Sequence, residues 1–183
     1  MQYTLAMAKY IAADNIVIQN NKSVSGTSNS LGGALYASSS DVNSRGNISI
    51  VGNASITGNI ADSSNAGGYG GAIYLAGNLL LAPNGTNNTI VFRDNRAKSA
   101  GNDFLLDRGN KQFIIDYTKG GNVRLYDGFT IADTSSMLQT GYGKTSLWGD
   151  SWGGGLININ SGVLSLEAAT VLPSTVDSSE TTY

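Results

Sequence analysis

The chain has 183 residues and contains neither histidine nor cysteine. Ser-His-Asp and Cys-His nucleophile systems are excluded, and so are His-metal and zinc-thiolate sites and disulfides. Carboxylates are the remaining acid–base groups. Asp103 with Asp107, or Asp94 with Asp103 across neighbouring repeat units, are the pairs that can approach the ~5–9 Å separation used in glycoside hydrolysis. The plainer reading is that these Asp residues lie in polar turns and are solvated. The sequence favours it, because no repeated Asp occupies a strand face beside basic and aromatic partners.

Other chemistry is poorly supported. Gly101-Asn102-Asp103 and Asp127-Gly128 offer oxygen ligands for calcium, but neither the tandem Gly-Gly-x-Gly-x-Asp repeat nor the EF-hand spacing is present. Gly67-Gly68-Tyr69-Gly70-Gly71 has the glycines of a phosphate loop without a following Lys-Ser/Thr. No cofactor is expected. Tyr142, Trp148 and Trp152 are a candidate recognition surface, since aromatics in a Gly-rich stretch give rigid contact area to a glycan or protein. The competing reading is that a Trp plugs the hydrophobic column.

The elements that must carry these residues are set by a repeat. Ile18-Gln19-Asn20-Asn21 with Gly32-Gly33-Ala34-Leu35-Tyr36 recurs as Ile56-Thr57-Gly58-Asn59 with Gly70-Gly71-Ala72-Ile73-Tyr74. Both halves shift by the same 38 positions, and a looser third copy begins at Phe92-Arg93-Asp94-Asn95. A fixed period of this length implies units that pack mainly on their neighbours. Short stretches of four to six residues, such as Leu79–Ala82 and Thr89–Arg93, carry β-branched or alternating apolar residues between Gly, Asn, Asp and Ser. Three such strands per repeat predict an all-β chain folded as a right-handed parallel β-helix, a solenoid of about five three-stranded rungs. Ile18, Ile56 and Phe92 then share one interior ladder, and Leu35 and Ile73 another. A β-sandwich also uses short strands but gives no reason for the motif to return in register.

In this frame the repeat-defining residues have structural roles. Asn21, Asn59 and Asn95 are expected at a corner, tolerating the left-handed conformation and bonding to the neighbouring corner. Gly33 and Gly71 are expected to allow a tight corner, and Ala34 and Ala72 to leave little volume where the chain bends inward. After Ala100 the pattern drifts, with Gly101-Asn102-Asp103-Phe104 standing where a Gly-Gly-Ala strand is due. Residues 1–15 are expected to form a cap or flanking segment, 16–170 the β-helix with an irregular excursion near 131–145, and 171–183 a polar tail.

Only 13% of residues are charged, and the 11 Lys and Arg are scattered singly, so the basic patch of a nucleic-acid binder is missing. No run approaches the ~20 apolar residues of a membrane-spanning helix, so direct membrane insertion is not expected. Residues 1–13 lack the basic n-region of a signal peptide, and Met1 reads as the start of a fragment.

The alternation of Gly-Gly-Ala-Ile/Leu (32–35 and 70–73) with Phe-x-x-Asn (Phe92 to Asn95) resembles the repeats of the chlamydial polymorphic membrane proteins, within the wider class of bacterial autotransporter passenger domains. The copies at 18–21 and 56–59 depart from it, with Ile in place of the aromatic, and the likeness fades after residue 102. Gly162-Val163-Leu164-Ser165-Leu166 is similar to the Gly-x-Leu-x-Leu runs of other passengers. The resemblance implies a surface-exposed or secreted bacterial protein, placed on the passenger side of the outer membrane. Such a protein serves as a structural or adhesive stalk, or in antigenic display, and contacts a host-cell protein or a glycan. Self-association through the exposed ends of the stack is a further expectation. The rival is a carboxylate-based polysaccharide hydrolase or lyase on the same scaffold.

Overall fold

A computed structural model of the chain describes residues 3–4, 11–12, 15–38, 46–149, 152–153 and 156–167. These residues form an all-β solenoid of parallel strands. The chain passes six times through three strand positions. The first turn carries β1 (Tyr3–Thr4), β2 (Ile11–Ala12) and β3 (Ile16–Gln19), followed by β4 (Lys22–Ser25) and β5 (Ser30–Leu31). The second carries β6 (Leu35–Ala37), β7 (Ile48–Val51) and β8 (Ala54–Thr57), then β9 (Ile60–Ser63) and β10 (Gly68–Tyr69). The third has β11 (Ile73–Leu75), β12 (Leu79–Ala82), β13 (Thr89–Arg93) and β14 (Arg96–Ala97). The fourth has β15 (Phe104–Leu106), β16 (Gln112–Tyr117) and β17 (Asn122–Leu125). The fifth has β18 (Phe129–Ile131), β19 (Ser136–Gly141) and β20 (Lys144–Leu147), and the sixth β21 (Trp152–Gly153), β22 (Leu156–Ile159) and β23 (Val163–Leu166).

Equivalent strands pair in parallel to give three six-stranded sheets, so the stack has six turns where about five were expected. Two stretches account for the difference. Within 1–15, read as a cap, β1 pairs with β6 and β2 with β7. The stretch 131–145, expected to leave the stack, lies inside it: β19 pairs with β16 and β20 with β17. Its strands carry polar residues at interior positions, and this hid the pattern. The expected polar tail, 171–183, lies outside the described residues.

The register is the one the repeat implies. Ile18 aligns with Ile56, then Phe92, Leu125, Leu147 and Leu166. Leu35 aligns with Ile73, Phe104 and Phe129. A single strand cannot bury its apolar side alone; stacked at about 4.8 Å, like side chains line up and exclude water. Ile56, Phe92, Leu125 and Leu147 are fully buried, and Ile18, on the first turn, is half-buried. Midway along the column Phe104 stacks on Phe129 (centroids 4.9 Å apart) and meets Phe92 and Phe113 edge-on at 6.0 and 4.8 Å.

The turns shorten along the stack. Between successive members of the Ile18 ladder the residue-number steps are 38, 36, 33, 22 and 19. The longer early turns contain extra segments that form a side lobe, in which β4, β9 and β14 make one parallel sheet and β5 and β10 another. The sequence pattern missed the lobe because its strands are short and polar.

Candidate functional site

At the corner after the Ile18 ladder, the three repeat asparagines form a continuous hydrogen-bonded column. The backbone N–H and the Nδ2 of Asn21 both donate to Asn59 Oδ1, at 3.1 and 3.0 Å. Asn59 repeats the pattern toward Asn95 Oδ1, at 3.1 and 3.0 Å, and its Nδ2 also reaches Ile18 O at 3.1 Å. An amide suits this position because it donates and accepts at once. The expected left-handed role falls one residue earlier, on Asn20, Gly58 and Asp94, whose φ angles are 55°, 64° and 56°. The asparagine itself supplies the bonds between turns.

The glycines are corrected in the same way. Positive φ belongs to Gly32 and Gly70, at 63° and 64°. Gly33 and Gly71 are needed for close approach between turns. A Cβ on Gly33 would stand 2.0 Å from Gly71 O, and one on Gly71 2.1 Å from Asn102 O. Ala34 and Ala72 are fully buried, as their small size implies.

In the fourth turn the column ends on carboxyls. Asp127 Oδ2 accepts from the Asn95 backbone N–H at 2.8 Å, and Asp103 Oδ1 accepts from Asn95 Nδ2 at 3.0 Å. The Asp127 N–H donates to Asp103 Oδ2 at 3.2 Å, so the two carboxyl groups are brought together at this one corner. Asp103 has no exposed surface, and Asp127 is half-buried. Burial, reinforced by the neighbouring Asp127 charge, pushes Asp103 well above the usual carboxylate range. Burial raises Asp127 as well, against the bonds it accepts from Asn95 and Asp103.

The carboxylate pairs weighed from the sequence are not assembled on an open surface. Asp103 and Asp107 stand at opposite ends of β15, and burial, reinforced by the nearby Asp107 carboxylate, makes the Tyr74 hydroxyl titrate higher. Asp94 is exposed, 3.6 Å from Arg93. Among the described residues no three acidic side chains gather where they could hold a metal ion.

The aromatic candidates are separated. Tyr142 is 91% exposed and precedes β20, while Trp148 follows the same strand at its other end. Trp152 has its backbone in β21, opposite Thr130, and its side chain lies outside the described residues. Trp148 is half-buried and stacks face to face on Tyr126, with centroids 4.1 Å apart and planes 8° from parallel. The Arg93 guanidinium lies over the Tyr126 ring, 5.4 Å from its centroid. Arg93, Tyr126 and Trp148 directly follow the aligned Phe92, Leu125 and Leu147, so they form an outer ladder parallel to the core. One face of Tyr126 and one face of Trp148 are therefore already used by each other. Tyr126 was missed in the sequence, and Asp127, weighed there only as an oxygen ligand for calcium, was not placed beside Asp103, because the 33-residue step to this turn breaks the 38-residue period.

A buried polar network lies inside the later turns. Tyr117 Oη and Thr145 Oγ1 are 2.7 Å apart, Thr145 Oγ1 donates to Gln139 Oε1 at 2.7 Å, and Gln139 Nε2 donates to Ser161 O at 3.1 Å. Two shallow clefts of about 320 and 400 Å³ lie on the side lobe. The larger is lined by Asp62, Ser63, Ser64, Arg96 and Lys98, and Lys98 Nζ donates to the carbonyls of Ser63 and Ser64. Among the described residues no helix is long and apolar enough to cross a membrane.

No family model, no curated protein and no solved structure matches this chain.

Proposed function

We propose that the chain is a non-enzymatic structural or adhesive segment of a bacterial surface-exposed or secreted protein, of the autotransporter-passenger kind, built as a right-handed parallel β-helix. The observation that carries this reading is the unbroken ladder from Ile18 to Leu166, fully buried from Ile56 to Leu147, in which each turn supplies the next with a template. The right-handed sense is the one that connections between parallel strands of one sheet overwhelmingly take. The Gly-Gly-Ala and Phe-x-x-Asn repeats support the passenger kinship. A stacked scaffold specifies shape through its interior and leaves partners to read the outside. The outside here offers the side-lobe clefts, the exposed Tyr142 and the Arg93–Tyr126–Trp148 ladder to a host-cell protein or a glycan.

The rival, a polysaccharide hydrolase or lyase, finds its best carboxylate, Asp103, fully buried and committed to the corner column. A glycan array and a host-cell binding assay, run beside reducing-sugar and lyase screens, test the proposal. Binding without turnover is expected. Turnover by the wild-type chain that a folded Asp103→Asn variant lacks would overturn it. A translocator barrel encoded in the same gene would support the passenger assignment.

A further inference from the structure

The asparagine column changes chemistry where the lobed turns give way to the narrow ones. From Asn21 to Asn95 each junction is closed by an amide that donates and accepts. At the junction between the third and fourth turns an amide meets two carboxyls, Asp103 and Asp127. Two carboxyls held on one asparagine, with Asp103 fully buried, crowd two negative charges together unless one of them carries a proton. The surroundings favour keeping it. Asp103 is fully buried, and its described neighbours on β15 are Phe104, Leu105 and Leu106. From the preceding corner Arg93 and Asp94 act on Asp127 with opposite signs, both of them well exposed. The same corner contributes the neutral Asn95, and Asn102 Nδ2 donates to Asp127 O at 3.0 Å. From the following turn the backbone of Gly149 packs on Asp127 without a charge.

We propose that Asp103 and Asp127 form a proton-dependent latch that joins the lobed and narrow halves of the stack, closed while the pair holds a proton and loosened when that proton leaves. The proton resides on Asp103, the more buried member. Losing it places two adjacent negative charges at the corner, only partly offset by the exposed Arg93. The folded pair titrates above the unfolded carboxylates, so the folded state holds the extra proton. The stabilisation is fully present below the ordinary carboxylate range and is lost as pH rises through the raised titration of the pair. Each unit by which the pair is raised changes the folding equilibrium by about tenfold across that window.

Urea denaturation of the whole chain from about pH 4 to about pH 9, a span wider than the ordinary carboxylate range, tests the latch in the wild type and in Asp103→Asn. The variant places a permanent donor where the proton sits. The wild-type midpoint is expected to fall with pH relative to the variant, with the variant the more stable at the alkaline end. A protonated-carboxyl C=O band in the infrared spectrum near neutral pH, absent from the variant, is the second expected result. Parallel pH profiles, or no such band in the wild type, would overturn the proposal. If Asp103→Asn does not fold, Asp127→Asn and the wild-type infrared band decide it by the same criteria.

Discussion

At the residue scale, Asn59 is the keystone of the corner column. It is fully buried and bonds to Asn21, Ile18 and Asn95. Asn59→Ala removes the side-chain bonds to Asn21, Ile18 and Asn95 and leaves the Asn21 backbone N–H without its acceptor, a loss of about 2–4 kcal/mol in denaturant-derived stability. Asn21→Ala, at a half-buried position of the first turn, should cost clearly less. Equal losses would mean that the column does not act through its buried bonds. The paired glycines make a sharper contrast. Gly71→Ala drives a methyl into Asn102 O and the Arg96 backbone, whereas a Cβ on Gly26 meets nothing within 4 Å. Gly71→Ala is expected to destabilise by about 2 kcal/mol or more, and Gly26→Ala to stay within about 0.5 kcal/mol of wild type. Thermal or urea melts of the two variants provide the comparison.

At the scale of the strand, Ile56 sits between Ile18 and Phe92 on β8 and is fully buried. Ile56→Asp would bury an unpaired carboxylate, costing on the order of 5 kcal/mol, enough to unfold a marginal domain. Asp62→Ala, half-buried on the lobe, should move the urea midpoint little. Matching midpoints would contradict the ladder. The strands read directly from the sequence are those whose apolar residues return at the 38-residue step, such as β3, β8, β6 and β11. The shortened copy at 101–106 was also legible, because Phe104 keeps the register of Ile73. The lobe strands β4, β9 and β14 were not, because they are two to four residues long and bury only small or polar side chains. The later turns were obscured where Gln139 and Thr145 occupy interior positions, satisfied by Tyr117 and by each other. Of the outer aromatic ladder, Trp148 was singled out in the sequence but its stacking partner Tyr126 was not: nothing in the spacing shows that 22 and 33 residues are each one turn.

At the scale of the whole molecule, the stack behaves as a one-dimensional array in which each turn contacts its neighbours. Ile56 and Phe92 hold equivalent places, so deleting residues 57–92 removes one complete turn and joins two equivalent positions. The shortened chain keeps an Asn21-to-Asn95 corner contact and an apolar column. It is expected to melt cooperatively, at a lower midpoint than wild type, with a β-rich circular dichroism spectrum. Loss of all cooperative structure would show that the turns are not interchangeable units.

The shortening of the turns also sets a direction in time. Every contact in the Ile18 ladder joins residues 19 to 38 apart, so the chain must close a sizeable loop before any of these ladder contacts forms. Such non-local topology makes folding slow. Halving a loop lowers its closure cost by about 0.6 kcal/mol, and the loops nearest the C-terminal end of the stack are half as long as those at the other. Nucleation is therefore biased toward the narrow turns, from which growth proceeds toward the lobed half, each completed turn offering a ready edge to the segment that precedes it in the chain.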